Sequence, residues 1–129
     1  MMERTFLIDG KAYNVRVLSL LRKFAVLETD VTGRTQDGQM YRDLFGTYYN
    51  YSITVAQRGD DAAALDAFWQ AVSDPKISHL CVFPYGQKTL SQRMYIKAGQ
   101  QALERMDGGK NHWGQVELEF IAMAPEVVP

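Results

Sequence analysis

The clearest alternation along the chain lies in GTYYNYSITV (46–55). There Tyr49, Tyr51, Ile53 and Val55 share one face of a strand, and Tyr48, Asn50, Ser52 and Thr54 share the other. The same period of two runs from Trp113 to Ala124, with Val116, Leu118, Phe120 and Ala122 set against Glu117, Glu119 and Ile121 until Pro125 stops the strand. Near the start, Thr5 to Ile8 and Ala12 to Leu18 flank Asp9-Gly10-Lys11, and in the second run Tyr13, Val15 and Val17 alternate with Asn14 and Arg16. Asp and Gly both tolerate positive φ, so these two runs are predicted to form a hairpin. Leu18 to Leu27 fits two periods: Leu20, Leu21, Phe24 and Leu27 match helical turns, whereas Phe24 and Val26 continue a strand. The strand reading is preferred.

One segment has helical spacing. Asp60 and Asp61 offer an N-cap carboxylate to a run in which Ala62, Leu65, Phe68, Trp69 and Val72 form an apolar stripe; Pro75 ends it near Ser73. Ser78 to Phe83 is a short apolar strand, with Cys81 read as buried and His79 as exposed, and Pro84-Tyr85-Gly86-Gln87 is a predicted type II turn. Leu90 to Ala98 and Gln101 to Met106 read as strands broken by a bulge or bend near Gly99, and Asp107 to Asn111 reverses the chain again. About seven strands and one helix imply a mainly β fold, an antiparallel sandwich or partly open barrel with the helix packed on one side, in a single domain spanning 1–129.

From Glu28 to Gly46 the pattern lapses into a polar, turn-rich excursion. Arg34, Asp37, Arg42 and Asp43 bring both signs of charge, and Met40, Tyr41, Leu44 and Phe45 form a small apolar patch that a lone loop buries poorly. Arg34, Asp37, Met40, Tyr41, Arg42, Leu44 and Phe45 are therefore expected to form an interface, ordering against a neighbouring subunit.

Composition narrows the class. The 129 residues are 47% hydrophobic and 22% charged, outside the regime of disordered chains. Fourteen basic and fifteen acidic side chains leave a net charge of −1, so no global field favours nucleic acid or anionic lipid. The opening MMERTFLIDG has only a four-residue apolar run, too short for a signal segment or membrane span. The single Cys81 has no internal disulfide partner and suits a chain made inside a cell.

The candidate chemistry is thin. His79 and Cys81 stand at i and i+2, with His112 as a conceivable third zinc ligand, but no paired ligand motif exists, and nothing beside Cys81 stabilises a thiolate. Glu117 and Glu119 project from one strand face at about the separation of glycosidase carboxylates, yet neighbours on a shared polar face lack the contrasting environments that catalysis needs. They are expected to line solvent or a channel. Tyr48, Tyr49 and Trp113 could supply a flat platform for sugar, the main alternative. No catalytic residue, metal or cofactor is expected.

The ordered strings FLIDGKAYNVRV, VTGRTQDGQMYRDLFGTYYNYSITV, VFPYGQKTL and KNHWGQVELEFIAMAP together resemble a family of small prophage proteins encoded among the tail genes of phages of Gram-positive bacteria. The resemblance covers nearly the whole chain. It implies a virion or tail-assembly component with a tail-tube-like β-sandwich plus helix fold, built in the host cytoplasm and ending in the virion tail. The implied partners are other phage tail proteins and copies of the chain itself, with no sequence-specific nucleic acid and no membrane.

Overall fold

The computed structural model describes residues 6–28, 33–34, 40–41 and 44–128. Its strands are β1 (Leu7–Ile8), β2 (Val15–Glu28), β3 (Gly33–Arg34), β4 (Met40–Tyr41), β5 (Leu44–Gln57), β6 (His79–Tyr85), β7 (Lys88–Asp107) and β8 (Lys110–Ala122), with one helix, α1 (Ala62–Val72), between β5 and β6. Six strands make one antiparallel, unclosed sheet in the order β1-β6-β7-β8-β5-β2, while β3 and β4 pair only with each other. This is the mainly β, one-helix architecture that the alternation implies.

The predicted Asp9-Gly10 turn is present. Asp9 and Gly10 take φ of 52° and 80°, and Ile8 and Lys11 exchange two backbone hydrogen bonds of 3.0 Å. The hairpin it was expected to close is not. β1 pairs with β6 (Leu7 with Val82, Ile8 with Cys81) and β2 pairs with β5, at opposite edges of the sheet. Turn chemistry fixes a reversal of four residues; the strand partners are then chosen by burial, since Ile8 enters the core beside Cys81 while Tyr13 turns onto the helix.

Because residues 9–14 alone join the two edges, the sheet coils to bring them within reach. α1 sits at this seam. The Phe68 ring lies edge-on to Phe6 at 5.7 Å, from the β1 side, and to Tyr13 at 5.6 Å, from the β2 side. The helix starts where predicted, with the Asp61 carboxylate accepting from the Ala64 amide and Asn14 donating to its other oxygen. Its buried face is Leu65, Phe68 and Val72, while Trp69 is only partly covered. These side chains meet Tyr51, Ile53, Val55, Phe83, Val116, Leu118 and Phe120 in one core.

Three local expectations are revised. Leu18 is an extra residue between the Val17–Val55 and Ser19–Thr54 pairs, a bulge that keeps Leu18 to Leu27 in strand but swaps which parity faces inward. The turn after β6 sits one residue later than predicted: Tyr85 pairs with Lys88 around Gly86-Gln87, with Gly86 at φ 58°, so Pro84 is a strand residue. The polar excursion is shorter, because Glu28 belongs to β2 and Leu44 to Gly46 belong to β5. Near Gly99 the register does slip, between Ile96–Phe120 and Gly99–Leu118, within one long β7.

Candidate functional site

Register places the two longest hairpins at opposite ends of the molecule. β5 and β8 pair only from Tyr51–Phe120 to Val55–Val116, so the β2–β5 hairpin overshoots one end and the β7–β8 hairpin the other. Beyond the core both arms keep large apolar side chains in water. On the first, Phe24 and Leu27 are exposed, Phe24 by 72%, with Leu21 exposed at its root opposite Ser52; on the second, Leu103, Met106 and Trp113. From Arg16 to Leu27 the outward edge of β2 has no strand beside it among the described residues.

Of the expected interface residues, Arg34, Met40 and Tyr41 fall in the short β3–β4 pair, with Arg34 opposite Met40. Leu44, half-buried, and Phe45 begin β5. Asp37 and Arg42 lie outside the described residues. The β2–β5 register puts Leu44, opposite Glu28, at the tip of the first arm.

Glu117 and Glu119 share the outer face of the sheet, opposite Thr54 and Ser52. Glu119 accepts from Lys23 at 3.2 Å, and Glu117 accepts from Gln100 at 3.0 Å and Gln115 at 3.3 Å. Glu117 is exposed and Glu119 half-exposed, so neither is a buried carboxyl set apart from its neighbour. The sugar platform is not assembled. Tyr49 turns inward against Tyr85 at 5.0 Å, the adjacent Tyr48 faces the opposite side, and Trp113 stands on the far arm, about 30 Å along the strands at their usual rise.

The two histidines also part. His112 pairs with Arg105 on the second arm, far from His79 and Cys81 in the core. Here the sequence reading needs correction: His79 is not exposed but 2% accessible. Its Nδ1 lies 2.8 Å from the Asp9 carboxylate, which also accepts from the Leu80 amide at 3.0 Å and Lys76 Nζ at 3.5 Å. Burial pushes the Asp9 carboxyl up, yet the hydrogen bonds from His79 and Leu80 and the charges of His79 and Lys76 outweigh it and hold the group below its usual 3.8. The signal was available: His79 has the same parity as Cys81, which read as buried, and as the apolar Phe83. Burial drives the Cys81 thiol up to about 12, which leaves it a packing residue and not a nucleophile.

His79 forms part of a cleft of about 270 Å³ at the C-terminal end of α1, walled by Trp69, Val72, Ile96 and Leu118 and rimmed by Asp74 and Lys76. No described helix is long and apolar enough to cross a membrane.

No protein-family model and no curated protein matches the sequence. Among solved structures the chain is similar to the Dit protein of SPP1, described as a paradigm of the hub adsorption apparatus in phages infecting Gram-positive bacteria, with TM-score 0.53 and 13% identity over 96% of this chain. It spans 51% of that protein's chain. It is also similar to a chain of the virion of a native gene transfer agent particle, with TM-score 0.51 and 16% identity, covering 93% of this chain and 92% of the other. At these identities the likeness is one of fold.

Proposed function

We propose that the protein is a structural subunit of a bacteriophage or prophage tail, a tube, baseplate or tail-assembly component that works by self-assembly and by binding other tail proteins, without catalysis. The observation that carries this reading is the exposed apolar lining of two oppositely directed arms, next to the outward edge of β2, which from Arg16 to Leu27 has no strand partner among the described residues. A strand edge without a strand partner is a template for another chain's strand. The fold shared with Dit and with a virion chain supports the same reading. In it, Arg34, Asp37, Met40, Tyr41, Arg42, Leu44 and Phe45 contact the neighbouring subunit, and the Glu117–Glu119 face lines solvent or a channel, where carboxylates repel passing phosphates. The subunit is assembled in the host cytoplasm and ends in the virion tail.

The test is sedimentation and electron microscopy over a rising concentration series, comparing the protein with a Leu21→Glu/Phe24→Glu variant. Both side chains are exposed, so the variant is expected to keep its unfolding midpoint nearly unchanged. The unmodified chain should form discrete ring-like or stacked species and the variant should not. Equal assembly of the two, or a monomer at every concentration, rejects the reading.

A further inference from the structure

The free edge of β2 is cationic as well as apolar. From Val15 to Leu27 the strand carries Arg16, Arg22 and Lys23 and no carboxylate. Glu119 pairs with Lys23 at 3.2 Å and is the one carboxylate among the described residues that reaches a cation of this stretch. Arg22 lies over the Tyr85 ring at 5.1 Å, a contact that brings it no carboxylate, and Arg16 is exposed near the start of the strand. The bulge at Leu18 sets how these groups are displayed. Leu20 turns inward after it, so Arg22 and Phe24 follow on the inner face and Leu21 and Lys23 on the outer one. Each face therefore shows a large exposed apolar side chain next to a cation.

Charge decides which strand suits this edge. Cross-strand neighbours of opposite charge stabilise a pair, and like charges oppose it. A second copy joined through the same edge would bring Arg16, Arg22 and Lys23 again, with no carboxylate between Val15 and Leu27 to offset them. The second arm of a copy suits the edge no better. Beyond Met94, where its pairing with β6 ends, β7 sets Lys97 and Arg105 against Glu104 and Asp107. On β8, the stretch from Lys110 to Gln115 that β5 leaves uncovered has no carboxylate at all. These edges have no negative excess to give.

We infer that the β2 edge pairs with an extended acidic segment of another protein, adding it to the sheet as a strand. Backbone hydrogen bonds along the edge supply affinity, and side chains on the two faces supply the choice of partner. On the inner face a carboxylate would meet the Arg22 guanidinium, whose planar fork suits bidentate pairing, and an apolar side chain would cover Phe24. On the outer face an apolar side chain would cover Leu21, and the Lys23 ammonium, already held by Glu119, has donors left for a second carboxylate. That the segment comes from another tail protein rests on the assembly reading; the preference of the edge for an acidic strand does not.

The test titrates the full-length protein with a capped octapeptide of valine and threonine carrying two adjacent glutamates at its centre, which puts one carboxylate on each face of the strand. Saturable binding is expected, with hydrogen-exchange protection gained at alternate β2 amides between Ser19 and Leu27, whose outward N–H groups acquire partners. N-methylation of one alternate set of the peptide's amides should abolish binding and of the other set should not, since a strand pairs here through one edge. The same peptide with lysines for the glutamates should bind at least about tenfold more weakly, and with glutamines it should fall between. Arg22→Gln, at an exposed position, should weaken the glutamate peptide about threefold or more and leave the glutamine peptide unchanged, whereas a merely structural Arg22 would affect both alike. Equal binding of the glutamate and lysine peptides, equal losses by Arg22→Gln, indifference to both N-methylations, or no protection gained at β2 overturns the proposal. So does protection of the same amides that rises with protein concentration alone, which would make a second copy the occupant. Assembly without binding of the glutamate peptide rejects this inference alone; binding by a protein that stays monomeric rejects the assembly reading alone.

Discussion

Asp9 carries two duties that few residues combine. Its backbone sits in the left-handed region at φ 52°, which Asp and Asn tolerate better than most, and its carboxylate collects His79, Leu80 and Lys76. The depressed acidity links this cluster to stability. The unfolded chain takes up a proton near 3.8, and the folded protein holds its charge to lower pH. Between the two, the unfolded state binds more protons, so the contribution of Asp9 is present above the unfolded value and is lost as pH falls through the folded one. Asp9→Asn keeps the turn but removes the titration. Its stability deficit relative to the unmodified protein is expected to shrink between pH 5 and pH 2.5, measured by urea unfolding; a deficit constant over that range would sever the link. Sequence revealed the turn and hid the cluster, because Asp9 and His79 are 70 positions apart and only the β1–β6 pairing brings them together.

Among the elements, α1 was legible almost to the residue, since its cap, stripe and proline stop are all local features. Within the stripe, sequence spacing treats Phe68 and Trp69 alike, whereas the structure separates them. Phe68 is fully buried at the seam between Phe6 and Tyr13; Trp69 is half-covered at the cleft. Phe68→Ala should cost about 3 to 5 kcal/mol, and Trp69→Ala clearly less because part of its ring already meets water. Thermal or denaturant unfolding measures both, and equal losses would place the helix in the wrong rotation. β2 shows the opposite case. Val15 and Val17 face inward before the bulge, and Leu20, opposite Ile53, faces inward after it. The slip at Leu18 leaves apolar residues at spacings that mimic a helix, and no local rule identifies a bulge whose cause is the partner strand.

At the scale of the molecule, what matters is how rigidly the first arm is held to the core. β8 ends at Ala122, whose amide turns to the Asn50 side chain, and the chain then returns along β5 so that Thr47 donates to the Val127 carbonyl at 2.8 Å and accepts from Glu126 at 2.9 Å. This strap lies across Gly46. At φ 138° the residue is in a region closed to most L side chains, and a Cβ there would collide with the Val127 carbonyl oxygen and come within 2.8 Å of the Pro125 Cβ. The sequence showed Gly46 as the end of a polar excursion; its role depends on a segment 80 positions away and was not readable from spacing. Gly46→Ala is expected to lift the strap and cost about 1 to 3 kcal/mol through backbone strain and steric clash. Hydrogen exchange locates the effect: the Thr47 amide should lose protection by about tenfold or more, since opening the strap becomes cheaper by at least about 1.4 kcal/mol. Amides of the β6–β7 pairing, at the other side of the sheet, should keep theirs. If Thr47 stays as protected in the variant as before, the strap does not anchor the arm, and the arm's direction is set by the β2–β5 ladder alone.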